Sequence, residues 1–381
     1  MGLRVLITNN ALAARRGSEM YVRDIAVDLV KRGHTAVAYS TMLGDVAREL
    51  EQAGVEVVND LNQLTRAPDI IHGHHHMETM TALLHFPHVP AINFCHSWGL
   101  WLETPIQFPR VLRYVAVDHA CRERLVLRHQ IPAAQIRVLL NFVDLDRFKV
   151  RATPLPVRPR RALLFSNYAN QETHLPAVRE ACRETNLSLD VIGSGENNAS
   201  AKPEEILGEY DLVFAKARCA LEALAAGAAV VLCDATGAGP LVTVGEFERL
   251  RPLNFGIRTL TQPLTAEALV GEINRYDAQD AAEVSSIVRR TAGLESIVDE
   301  LVSLYREVIE EHRTSTNGDP DKEGRAAAAY LRQLKMDFAT HGAASMRLRE
   351  RVQRIPWLGR WGIKLAHKLT SPGNHGREPD A

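Results

Sequence analysis

Short apolar runs separated by polar, turn-forming segments recur along the chain from its first residues. "LRVLITNN" (residues 3–10) is a continuous apolar run of the kind that forms a strand buried on both faces. In "SEMYVRDIAVDLVKRGH" the apolar positions Val22, Ile25, Ala26, Leu29 and Val30 follow helical spacing, and Lys31, Arg32 and Gly33 supply the stop. "HTAVAYS", "VEVVND", "DIIHGH", "AINFCH" and "YVAVD" continue as strands, with "GDVARELEQAG" as a helix among them. Strands alternating with helices predict a parallel sheet covered on both faces.

The pattern pauses at "KVRATPLPVRPRR" (residues 149–161), where three prolines and several cations follow no period. It restarts with "ALLFSN", a helix near "LPAVREACRET", "LSLDVIGSG", "EEILGEY", "DLVFAK", an Ala-rich helix and "AAVVLCD". The expected fold class is therefore α/β, with two Rossmann-like, doubly wound parallel-sheet domains facing a central cleft. Domains are expected at 1–150 and 162–312, joined by a linker at 151–161. A polar linker at 313–324 then leads to a basic amphipathic helical tail at 325–381. Ligands of open parallel sheets bind at the carboxyl ends of the strands, which places the expected site in the cleft.

Composition adds exclusions. With 45 Lys and Arg against 46 Asp and Glu, the chain offers no case for a nucleic-acid partner. The five cysteines form no CxxC pair, which suits a reducing compartment. No apolar stretch approaches the roughly 20 residues of a spanning helix, and the N-terminus lacks the pattern of a signal peptide. A cytoplasmic location is expected.

Four stretches, taken in order, resemble the family-four type of GT-B retaining glycosyltransferases. They are "RVLITNN…RRGSEMYVRDIAVDLVKRGHTAVAYS", "PDIIHGHHH" with "PAINFCHSW", "QIPAAQIRVLLNFVDLDRF", and "YDLVFAKARCALEALAAGAAVVLCD". The resemblance covers roughly residues 3–312. It implies a metal-independent transfer of a sugar from a nucleotide-sugar donor to an acceptor (a glycan, a lipid-linked molecule or a small molecule), with retention. No cofactor beyond the donor is implied. The chain also departs from the pattern. Phe214 stands where the family carries a first Glu, eight positions before Glu222. Phe142 replaces the glycine after Asn141, and "LLFSNYANQETH" lacks the usual Arg and Lys.

The resemblance implies that Glu222 accepts hydrogen bonds from the donor ribose and that His96 orients the reacting sugar. Lys216 and Arg218, just ahead of Glu222, are candidates to replace the missing positive charge at a diphosphate, where a helix N-terminus also favours anions. Gly17 and Ser18 occupy the first strand-to-helix loop, where a glycine admits close approach of a ligand and a serine can cap the helix. Gly237 and Gly239 in "GAGPLVT" are candidates to line the cleft. In "HGHHH" (residues 72–76), His72, His74 and His76 would share one face of an extended segment, as in some zinc sites, but no Cys or carboxylate at ligand spacing joins them. "VIGSGENN" has too few glycines for a dinucleotide fingerprint.

Between residues 346 and 369 seven cations face one anion, Glu350, and Trp357 and Trp361 lie among them. Such a segment suits an anionic membrane surface, which would make the protein peripheral at the inner face of a membrane; packing on its own chain or another subunit is the alternative. Two rival functions are a GT-B scaffold that has lost its donor chemistry and binds a partner, and a sugar epimerase of the same fold, for which the sequence offers no convincing acid–base carboxylate pair.

Overall fold

The computed structural model describes residues 2–193, 202–315 and 320–353, with side chains up to residue 339. Most of the chain forms one compact unit containing two sheets. The first sheet comprises β1 (Arg4–Thr8), β2 (Thr35–Tyr39), β3 (Glu56–Val58), β4 (Ile70–Gly73), β5 (Ala91–Cys95), β6 (Val111–Ala116) and β7 (Ile136–Val138). All its pairings are parallel, in the order β3-β2-β1-β4-β5-β6-β7. The order reverses between β1 and β4, so the loops after these two strands open the crevice of this half.

The second sheet comprises β8 (Arg161–Phe165), β9 (Ser188–Ile192), β10 (Leu212–Ala215), β11 (Ala229–Asp234) and β12 (Gly237–Leu241). Its order is β12-β11-β10-β8-β9, and only β12 runs antiparallel. Apolar clusters pack on both faces of this sheet, one around Phe148, Leu163, Val213 and Phe255, the other around Leu164, Phe214 and Val231. The crevice of this half opens between β8 and β10.

The α/β architecture and the strands read from apolar runs agree with the sequence expectation. Gly33 adopts φ +80 just after the Gly17–Lys31 helix, the left-handed stop that a residue with Cβ adopts only at a cost. Two strands have no clear signal in the sequence pattern. β7 is three residues long, and β12 carries two glycines and a proline, tolerated because it lies at the sheet edge.

Helix Leu294–Thr314 departs from the expected layout, in which residues up to 312 belong to the second domain. It packs against the Gly17–Lys31 helix and β5. Arg113 on β6 pairs with its Glu307 at 2.7 Å and its Glu311 at 2.6 Å. Its apolar stripe, including Val298, Leu301, Tyr305 and Val308, is buried there. A periodic stripe announces that a face will be covered but not by which domain.

Helix Pro320–Gln353 lies in a separate unit and exposes Leu331, Met336 and Phe338. Residues 354–381, and the side chains of the basic 346–369 segment, lie outside the described residues.

Candidate active site

The two crevices share a cavity of about 380 Å³. Arg15, Arg16, Gly17 and Met20 line it from the first domain, Arg147 and Phe148 from the junction, and Phe165, Asn167, Gly193, Arg218, Cys219 and Glu222 from the second. Such a volume suits a nucleotide-sized ligand. A Cβ built at Gly17 would meet no atom within 4 Å, so protein packing does not demand the glycine and the space beside it belongs to the cavity.

Across this cavity runs a buried ion network. Arg218, in the first turn of helix Ala217–Ala225, donates from Nε to Glu222 Oε1 at 2.7 Å and from Nη2 to Asp24 Oδ2 in the first domain. Asp24, fully buried, also accepts from Arg23 Nη1 at 2.9 Å and Arg147 Nη2 at 3.3 Å. Burial pushes the Asp24 carboxyl up, but Arg218, Arg147 and Arg23 together outweigh it and hold the group below its ordinary range. Glu222 touches one guanidinium, and there burial prevails over Arg218 and Arg147 and leaves its pKa raised.

Arg147 completes the network in a different way. Its Nε and Nη1 are buried without a hydrogen-bond partner, and the residue forms part of the cavity wall. Buried orphan donors are costly. With Arg15, Arg16 and Arg218 it makes four arginines around the cavity, against the carboxylates Asp45 and Glu222.

The sequence-derived candidates divide. Glu222, Arg218 and Gly17 meet at the cavity. Ser18 lies inside the first turn of its helix; Arg16 holds the N-cap position, so Ser18 does not cap it. Lys216 is not on the cavity wall: it pairs with Asp234 at the end of β11 and lies 5.8 Å from the centre of the Tyr168 ring. Gly237 and Gly239 do not line the cavity either. They lie buried in β12, where a Cβ at Gly239 would come within 2.7 Å of Thr259 O and one at Gly237 within 3.0 Å of Gln262 O. These glycines make room for a neighbouring segment of backbone.

His96, at the carboxyl end of β5, reaches the network through aromatic rings. Tyr21 packs edge-on against His96 at 4.8 Å, Phe142 lies 4.8 Å from Tyr21, and the Arg218 guanidinium lies 5.8 Å from Phe142. The phenylalanine after Asn141 thus fills space between the two domains. Burial first, then His75 and Arg218, push the His96 pKa down to about 3, so the ring stays neutral. Glu103 Oε2 accepts from the backbone N–H groups of His96 and Ser97, both at 2.6 Å, and fixes the strand end. Phe214, a residue of β10, lies fully buried in the core.

The histidine run does not share one extended face. β4 ends at Gly73, His75 takes φ +58, and His76 begins a helix. His72 and His74 stack at 4.6 Å instead of converging on a point. Among the described residues no group of His, Cys, Asp or Glu has the arrangement of a metal site.

Two doubly wound sheets with their crevices opposed across an arginine-lined cavity define the GT-B class, the fold of many glycosyltransferases. Residues 15–147 match the family model described as Glycosyltransferase Family 4, so this part of the chain is similar to that family. A glycosyltransferase from Rickettsia africae is similar in structure, with TM-score 0.59 and 15% identity over 81% of this chain and 99% of that one. HepE from Anabaena, solved with UDP and glucose, has TM-score 0.58 and 16% identity over 79% of this chain and 99% of that one. No curated protein matches the sequence significantly.

Proposed function

We propose that the protein transfers a sugar from a nucleoside-diphosphate donor bound in the arginine-lined cavity, with retention and without a metal ion. The observation that carries this reading is the set of four arginines, Arg15, Arg16, Arg147 and Arg218, that line a cavity of nucleotide size, Arg147 with two side-chain nitrogens left without a hydrogen-bond partner beside it. A diphosphate would pair with these arginines, and fixed guanidinium groups would stabilise the charge that develops as the glycosidic bond breaks. In this reading the cations missing from the start of the second domain are replaced by Arg15, Arg16, Arg147 and Arg218, with Lys216 held in reserve on Asp234. Glu222 takes the ribose hydroxyls, which requires Arg218 to share it. The UDP in the HepE structure makes a uridine donor the first to test. Closure of the cleft would keep water from the donor. The basic 346–369 segment would hold the enzyme at an anionic membrane surface, near a lipid-linked acceptor.

A second reading has its own observation. Phe214 is buried in place of an acidic residue, and Glu222 is already ion-paired, as expected of a scaffold that has lost donor chemistry. Calorimetric titration of UDP, GDP and ADP into wild type, Glu222→Ala and Arg147→Met separates the two. Selective binding of one nucleotide, weakened in both variants by about tenfold or more, the cost of losing a charge-assisted hydrogen bond, supports the transferase. No binding of any nucleotide by wild type overturns it in favour of the scaffold.

A further inference from the structure

Behind His96 lies a column of buried rings that the proposed transfer does not use. His74 Nδ1 and His96 Nε2 are 2.6 Å apart, and His74 stacks on both His96 and His72. His72 Nδ1 in turn meets the Tyr305 hydroxyl at 2.5 Å. Phe94 lies flat against His72 at 4.1 Å, and Tyr21 stands edge-on to His74. His72 and His74 are both fully buried, and burial holds their pKa values well below the usual histidine range. The column is therefore neutral, and each ring carries a single N–H whose position its surroundings decide.

For the His74–His96 pair only two arrangements exist. If His96 donated from Nε2, the His74 proton would sit on Nε2, which is buried without a partner. That would create an orphan N–H. If His74 donates from Nδ1, its Nε2 keeps only a lone pair in that position, and an unmet acceptor is tolerated more readily than an unmet donor. The second arrangement leaves His96 with its proton on Nδ1.

We infer that His74 is a positioning residue that selects the Nδ1–H tautomer of His96, so that the ring offers a neutral hydrogen-bond donor at Nδ1 and not a base. Glu103 fixes the backbone beneath the ring and His74 fixes its proton. The catalytic consequence rests on the transferase reading above; the tautomer does not. An Nδ1–H can donate to a sugar hydroxyl or ring oxygen, whereas the opposite tautomer would present a lone pair there.

Nitrogen-15 NMR of the full chain with labelled histidine tests the inference directly. In wild type His96 Nδ1 is expected in the protonated range and Nε2 in the unprotonated range. His74→Phe keeps a ring in the stack but removes the donor, and His96 should shift towards the Nε2–H form that free imidazole favours. His74→Asn returns an N–H near the position of Nδ1 and should restore the wild-type shifts. With an active donor, kcat should fall roughly tenfold in His74→Phe, the loss of one aligned hydrogen bond, and recover in His74→Asn. A wild-type His96 protonated on Nε2 overturns the inference without any variant. Wild-type shifts persisting in folded His74→Phe overturn it as well. Expected shifts in a protein that transfers no sugar would instead retain the inference and reject the transferase.

Discussion

Asp24→Asn changes one atom at the centre of the network that joins the two domains, and its consequence can be worked from the geometry. Arg23 and Arg147 approach the carboxylate to 2.9 and 3.3 Å, and Arg218 reaches it from the second domain. At an effective dielectric near 20 each such contact is worth about 5 kcal/mol before desolvation. Burying the charges costs several kcal/mol each, which leaves the pairing favourable by less than the gross sum. Removing the carboxylate charge alone, however, leaves Arg147 without its ion-pair partner and Arg218 with Glu222 alone, while Arg23 keeps Glu49 and Asp144. Breaking a buried pair in this way typically costs about 3–5 kcal/mol. For a unit of this size that corresponds to a fall in Tm of roughly 5–8 °C. Thermal and urea unfolding of Asp24→Asn should show it, while Glu180→Gln, at an exposed pair with Arg183, should melt like wild type. In a double-mutant cycle with Arg218→Met, the pair of substitutions should cost clearly less than the two single losses together. Because the folded Asp24 pKa is depressed, its stabilisation is present above the unfolded value near 3.9 and is lost as pH falls. The Asn variant should therefore have a flatter acid limb. A loss below about 1 kcal/mol, or strict additivity in the cycle, would refute the account of a coupled, desolvated network.

Two further outcomes follow from the same structure. Glu19 is raised from 4.5 to about 7, by burial against the opposing pull of Arg16. A raised carboxyl favours the fold in acid, so stability should decline as pH rises from about 4.5 to 7; Glu19→Gln should remove that decline, and an unchanged pH profile would contradict the assignment. A chain ending at residue 345 should no longer co-sediment with anionic vesicles at low salt, whereas the full chain should bind and be released as salt rises. Equal sedimentation of the two chains would remove the tail from the membrane reading.

Much of the fold was legible in the chain because strands buried on both faces must be apolar throughout, and because covering helices must repeat their apolar residues every three or four positions. "RVLIT" and "AVVLCD" are such strands, and Val22, Ile25, Ala26 and Leu29 such a helix. The antiparallel β12 was not legible, since its glycines and proline suit a loop equally well. At the site, Glu222 and Arg218 could be picked out because they stand in an otherwise Ala-rich helix next to a crevice. Arg147 could not. In "NFVDLDRF" it is one cation in a polar turn, and nothing local indicates that two of its donors are buried without partners. The only available signal was the scarcity of positive charge elsewhere around the expected diphosphate. Gly237 and Gly239 misled for the opposite reason: glycine admits close approach by a ligand or by backbone, and here it is backbone.

The sequence by itself determined two α/β halves and the crevices at their strand ends, because hydrophobic period and chain breaks act over a few residues. Which charges meet across those crevices was decided only by the tertiary structure. Asp24 and Arg218 are 194 residues apart, and His72 and Tyr305 are 233 apart. Neither pairing leaves a periodic trace, since an ion pair or a side-chain hydrogen bond constrains only the final positions of a few atoms. The low-dielectric interior that gives those contacts their strength exists only once both domains have packed around them.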